Sequence, residues 1–223
     1  MDEYDSFSEI VFVKSSTKSL LDFLNSMKSK TRQMEQISKE ILILKKSPLY
    51  AERIKNKVFP VIGEGSCDAE IMFVGEAPGK NEAKTGKPFC GASGRVLDEL
   101  LDSISLDRQV VYVTNIVKDR PTANRDPSKE EIKIYGPFLD RQVDIIQPKI
   151  IATLGRYSAE YIMKKFGLED KIETIGKMRG KIFKAEVSYG EIKIIPLLHP
   201  AVALYNLFSR DDLKKDFKSL KNK

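Results

Sequence analysis

Three segments of this chain carry side chains that could do chemistry together: Gly75-Glu-Ala-Pro-Gly79, Thr114-Asn115 and Leu198-His199-Pro200. Glu76 is a carboxylate able to orient or activate water. Asn115 offers a carboxamide that both donates and accepts. His199 is the only histidine in the chain, so any imidazole chemistry belongs to it. Singly, each segment also has a plain structural reading, as a turn, a strand cap and a packed histidine. Each, however, follows an apolar run that reads as a strand, and loops leaving one sheet edge converge on one pocket.

The elements that must position these residues alternate in type. Residues 71–74, 110–114 and 150–154 are short apolar runs of the kind that form buried parallel strands. Residues 181–187 and 191–197 form a β-pair around Tyr189-Gly190. Helical patterns occupy 95–104, 128–146 and about 157–166, the second opened by a capping box from Ser128 to Glu131. A helical, basic C-terminus follows His199-Pro200. Upstream, residues 15–46 are polar and helical, with Leu20, Leu21, Leu24, Met27, Met34, Ile37 and Ile41 near helical spacing. Ser47-Pro48 ends that stretch. Residues 51–69 read as an irregular approach with short extended pieces, and residues 75–94 as a glycine- and proline-rich loop. The pattern predicts a single α/β domain over residues 47–223, with a mostly parallel central sheet flanked by helices, behind a helical extension at residues 1–46.

At 223 residues, with 41% hydrophobic and 31% charged residues, the chain can bury one sizeable core, and its composition excludes a disordered or fibrous protein. No apolar run reaches the roughly 18 residues that span a bilayer, and the acidic start lacks the basic region of a secretory signal. Two cysteines, Cys67 and Cys90, exclude a disulfide scaffold and cannot by themselves build a four-thiolate metal site. A reducing cytoplasm is the expected compartment. The 38 basic against 32 acidic side chains give +6, which suits a polyanionic partner.

Phe73-Val-Gly-Glu-Ala-Pro-Gly-Lys-Asn-Glu82, followed by Thr85-Gly-Lys-Pro-Phe-Cys-Gly-Ala-Ser-Gly94, resembles the first motif of family 4 uracil-DNA glycosylases. Val113-Thr-Asn-Ile-Val-Lys118, Asn124-Arg125-x-Pro127, Pro148-Lys-Ile-Ile-Ala-Thr-Leu-Gly155 and His199-Pro-Ala201 match further blocks in order. The resemblance runs from about residue 47 to residue 204. It implies a repair enzyme that flips deoxyuridine out of single- or double-stranded DNA and hydrolyses its N-glycosidic bond. Phe89 resembles the residue that stacks on the base, and Asn115 the one that reads its edge. Glu82 falls where the family sets a side chain against C5, excluding thymine. The backbone of Gly75 and Ala77 would line the pocket. His199 resembles the donor to O2 of the departing uracil, and Glu76 is the candidate to orient water or stabilise the sugar cation.

Lys80, Lys84, Lys87, Arg120 and Arg125 flank these loops and could neutralise phosphates. Val202, Leu204 and Tyr205 stand where an apolar wedge could fill the gap left by a flipped base. One departure from the family is large. Its members hold a four-iron, four-sulfur cluster on four cysteines, and the corresponding positions here are Leu44, Ser47, Asp119 and Tyr135. None replaces a thiolate. The expectation is therefore a monomeric enzyme with no cofactor or metal, and with Cys90 a buried near-hydrophobe. Two other readings stay open: a glycosylase for another deaminated base such as hypoxanthine, and a non-catalytic DNA-binding scaffold.

Overall fold

The computed structural model describes residues 25–205 and 209–221. Its frame is a six-stranded sheet in the order β1-β3-β2-β4-β6-β5. These strands are β1 (Glu64–Gly65), β2 (Ile71–Gly75), β3 (Tyr112–Asn115), β4 (Ile150–Leu154), β5 (Phe183–Val187) and β6 (Gly190–Leu197). The four inner strands are parallel, and the two edge strands pair antiparallel to them. β2 is buried along its whole length, which explains why its sequence is a continuous apolar run. Its side chains alternate between two cores. Met72 and Val74 join one cluster, and Ile71 and Phe73 the other.

Helices cover both faces. Helix α1 occupies residues 25–42 and is followed by α2 (Pro48–Lys55), α3 (Lys80–Thr85), α4 (Ala92–Ser103), α5 (Lys129–Ile146) and α6 (Arg156–Lys165). After them come α7 (Ile175–Met178), α8 (Val202–Tyr205) and α9 (Ser209–Phe217). Met34, Ile37 and Ile41 of α1 pack with Tyr135 and Leu139 of α5 and Ile162 of α6 on one face. Leu97 and Leu100 of α4 pack with Leu213 and Phe217 of α9 on the other. The chain leaves β2 toward β3 on one side, then returns through α5 to β4 on the other side. The carboxyl end of β2 is thus a switch point, where α/β sheets open a ligand crevice.

The strands and the α5 capping box lie where the sequence places them, with both Ser128–Glu131 bonds formed. Three local readings are corrected. Ser47-Pro48 starts a helix rather than only ending one: Ser47 Oγ accepts from Leu49 N at 3.1 Å, and proline occupies the first turn of α2. The supposed loop 75–94 contains α3, bracketed by Gly79 and Gly86, and α4 begins at Ala92 rather than 95. Six residues are too few to display a helical repeat, so α3 had no periodic signature. Leu20, Leu21 and Leu24 lie outside the described residues.

Candidate active site

A cleft of about 450 Å³ opens at the carboxyl ends of the inner strands, within the range of small-molecule sites. Its lining includes Glu76, Ala77, Glu82, Phe89, Arg125 and His199, drawn from the segments after β2, β3 and β6. Gly75 and Asn115 end paired strands, side by side in the β2–β3 ladder. They do not line the open cleft. A Cβ on Gly75 would collide with Asn115 Oδ1 and come within 2.8 Å of Phe89 Cζ. Glycine is therefore required where ring and amide meet across the backbone. Asn115 is 2% exposed, and its Oδ1 has no hydrogen-bond partner among the described residues. A buried acceptor left open in this way suits a ligand N–H donor.

Phe89 is held against its own preference. Its φ of 48° lies in the left-handed region, which a bulky side chain rarely occupies. Three braces fix it. Glu82 Oε1 accepts from Cys90 N at 3.1 Å and Gly91 N at 2.9 Å. Arg108, paired with Asp98 at 2.7 Å, donates to Pro88 O at 2.8 Å. Gly94 admits the Phe89 carbonyl so closely that any Cβ there would overlap it. Glu82 thus acts as a strap across the loop as well as lining the cleft. Cys90 is exposed, contrary to the expectation of a buried near-hydrophobe, because the strap turns residue 90 outward at the start of α4.

The Phe89 and His199 rings lie 5.7 Å apart, tilted by 32°. The Ala201 amide donates to His199 Nδ1 at 3.2 Å, which places the proton of a neutral imidazole on Nε2. Burial pushes the His199 pKa down to about 4, with Glu82 opposing, so the ring is neutral at physiological pH. Glu76 moves the other way. Burial, then the Asp126 carboxylate, raises its pKa to about 7, with Arg156 opposing. Asp126 is fixed by Tyr157 OH at 2.6 Å and Arg156 at 3.0 Å.

The remaining expected residues lie around this centre. Lys80, Lys84 and Lys87 are exposed along α3 and just after it. Arg120 donates to Asn124 Oδ1 at 2.6 Å. Arg125 lines the cleft, but its guanidinium is already bound to Glu131 at 2.5 Å. Leu204 and Tyr205 of α8 are exposed, Tyr205 at 89%. Sequence reasoning passed over Ser93, Asn124 and Asp126, which also line the cleft, and Arg108, which braces Phe89. Asp126 is the unspecified position of the Asn124-Arg125-x-Pro127 block, and nothing local distinguishes a cleft carboxylate from a solvated one.

A switch-point cleft lined by an aromatic ring and a neutral imidazole, with a buried open amide packed behind the ring, suits a flat ring with hydrogen-bonding edges. A family model for the uracil DNA glycosylase superfamily matches residues 62–221. A type-4 uracil-DNA glycosylase of Sulfurisphaera tokodaii is 47% identical over 84% of this chain and 83% of its own length. That of Saccharolobus solfataricus is 45% identical over 84% and 85%, and that of Archaeoglobus fulgidus 42% identical over 84% and 91%. The chain belongs to the uracil-DNA glycosylase superfamily.

The residues at the four cluster positions do not fit an iron–sulfur group. Ser47, Asp119 and Tyr135 converge, but as a closed hydrogen-bonded knot: the Tyr135 hydroxyl bonds Asp119 Oδ2 at 2.6 Å and Ser47 Oγ at 2.8 Å. Arg53 completes it, with NH1 2.9 Å from Asp119 Oδ2 and NH2 donating to Leu42 O at 2.6 Å. Leu44 is buried in the adjoining core. The chain has two cysteines, and among the described residues no group of three or more His, Cys, Asp or Glu could hold a metal.

Proposed function

We propose that this protein is a monofunctional uracil-DNA glycosylase that works without an iron–sulfur cluster. It flips deoxyuridine from single- or double-stranded DNA into the cleft, hydrolyses the N-glycosidic bond, and leaves an abasic site for base excision repair. The observation that carries this reading is the open, buried Oδ1 of Asn115. Uracil offers N3–H to such an acceptor and O4 to the amide's NH₂. Cytosine presents the reverse pattern, an acceptor at N3 and a donor at N4, so an amide held in this orientation would meet acceptor with acceptor and donor with donor. Phe89 stacks on the base, Glu82 stands against C5, and Gly75 and Ala77 bring the backbone close.

Bond breaking leaves a cationic sugar and an anionic uracil. The neutral His199 donates from Nε2 to O2, where that negative charge grows. Glu76, once ionised, orients water and faces the cation. DNA is held by Lys80, Lys84, Lys87 and Arg120, with Leu204 as wedge, while Arg125 is engaged by Glu131. The protein acts as a monomer in the cytoplasm, on the nucleoid if the cell has one; among the described residues no helix is long and apolar enough to cross a membrane. Residues 1–46 serve as an extension to the catalytic domain of residues 47–223, its helix α1 packed on α5 and α6.

The test is strand scission after alkali treatment of a labelled oligonucleotide containing one deoxyuridine, run with a chelator present. Wild type cuts at uracil and shows no visible iron–sulfur absorption, while His199→Ala and Asn115→Ala fall by about 10²- to 10³-fold. Scission at hypoxanthine and not at uracil moves the assignment to that base. Tight DNA binding without scission at any base leaves only the scaffold reading.

A further inference from the structure

We propose that Lys118 is a positioning residue for Asn115, pinning the strand end that carries the base-reading amide. The proposal rests on the reading of Asn115 given above. Lys118 is 0% exposed, one of the largest fully buried side chains in the protein. Its Nζ meets three acceptors, Asn115 O at 2.6 Å, Thr114 Oγ1 at 2.7 Å and Gln142 Oε1 at 2.6 Å, which call on all three donors of an ammonium even though burial pushes its pKa well below the ordinary lysine value. All three acceptors are neutral, and no carboxylate pairs with Lys118 among the described residues. A methionine would fill similar volume without burying a charge-bearing group. The expense is accounted for by what the ammonium holds.

Lys118 folds back over the residues three and four before it, so that one side chain clasps the last two residues of β3. The clasp is anchored from behind. Gln142 of α5 donates from Nε2 to Ile62 O at 3.0 Å and Tyr112 OH at 3.2 Å. The Thr114 hydroxyl donates to the same Ile62 carbonyl at 2.7 Å. On the far side the Lys118 carbonyl accepts from Val61 N at 2.7 Å, and Ile116 N and Val117 N donate to Gly75 O and Glu76 O at 3.0 Å each. The backbone around Asn115 is therefore held at both ends, while its side-chain oxygen is left open. A strand end free to move would let that oxygen find a partner. Pinning it keeps the acceptor ready for a base, which is preorganisation of a binding group.

Lys118→Met and the milder Thr114→Val are compared with wild type in four measurements. These are thermal melting, single-turnover excision from a single-stranded deoxyuridine oligonucleotide, inhibition by free uracil, and binding to the same strand carrying an abasic analogue. The expected result is a folded Lys118→Met with excision slowed on the order of 100-fold and uracil inhibition weakened in parallel, and Thr114→Val slowed about 10-fold. Abasic-strand binding stays near the wild-type value, because that ligand has no base for Asn115 to read. Unchanged excision in Lys118→Met overturns the proposal, as does a matching loss of abasic-strand binding, which marks a general defect of the fold. If Lys118→Met does not fold, unchanged excision in Thr114→Val overturns it. A wild type inactive on uracil defeats the glycosylase reading instead, and is scored before either variant.

Discussion

Glu76 and His199 are displaced in opposite directions by the same cleft, Glu76 upward and His199 downward. On the proposed mechanism, excision needs a neutral His199 and an ionised Glu76. With His199 near 4 and Glu76 near 7, His199 stays neutral from pH 5 upward while Glu76 is still titrating. The excision rate is expected to rise with pH through about 7, and Glu76→Gln to abolish that limb while costing about 10² to 10⁴ in rate. A single-turnover pH profile of both proteins checks this. Stability runs the other way for the carboxylate. A folded pKa above the unfolded one favours folding at low pH and loses that advantage as pH rises through about 7. The melting temperature of Glu76→Gln should therefore gain on wild type between pH 5 and 8. The depressed His199 has the opposite sign: its contribution is present above its ordinary value of 6.5 and disappears as pH falls toward 4.

At the scale of elements, the buried Arg53–Asp119 pair ties four pieces together: the end of α1, α2, the segment after β3, and α5 through Tyr135. The same segment continues into Pro121, Asn124, Arg125 and Asp126, which line the cleft, so anchoring Asp119 also sets that wall. Removing one partner strands a buried charge. Asp119→Ala should cost roughly 3–5 kcal/mol in denaturant unfolding, whereas Arg53→Met with Asp119→Leu should recover much of the loss. Equal destabilisation in the single and double variants would show that the ion pair is not what holds these elements. None of this pairing was legible from spacing, because Arg53 and Asp119 stand 66 residues apart. Asp119 could be named from the resemblance, as the place of a cluster cysteine, but Arg53 lies in no motif block and its contact with Asp119 is not written in the sequence.

Across the whole molecule, the net charge of +6 acts through the cleft's surroundings more than through the cleft. Within the cleft, Arg125 is engaged by Glu131, while the lysines of α3 and its exit stand exposed. Replacing Lys80, Lys84 and Lys87 by alanine should weaken binding to uracil-free DNA and flatten its salt dependence. Each lost phosphate contact lowers the slope of log K against log salt by about 0.9 on duplex and about 0.7 on single strands. Arg125→Ala should change that slope little and lower stability instead. A salt titration by fluorescence anisotropy separates the two, and an equal slope change for Arg125→Ala would return it to the phosphate-binding set.

The inner strands, the major helices and the three segments bearing Glu76, Asn115 and His199 were determined by the sequence itself. Apolar runs, a capping box and motif spacing are local properties, and strand ends in an α/β sheet predict a common crevice. Only the tertiary structure decided the rest. The brace of Arg108 on the strained Phe89 loop and the knot around Asp119 depend on partners from other parts of the chain, while the Glu82 strap and the Ala201 bond to His199 are local in sequence but set by how the loop folds. The clasp of Lys118 on Asn115 is local, but its burial and its Gln142 anchor are not. Burial sets charge and pKa, and burial is not a property of a residue's neighbours in sequence.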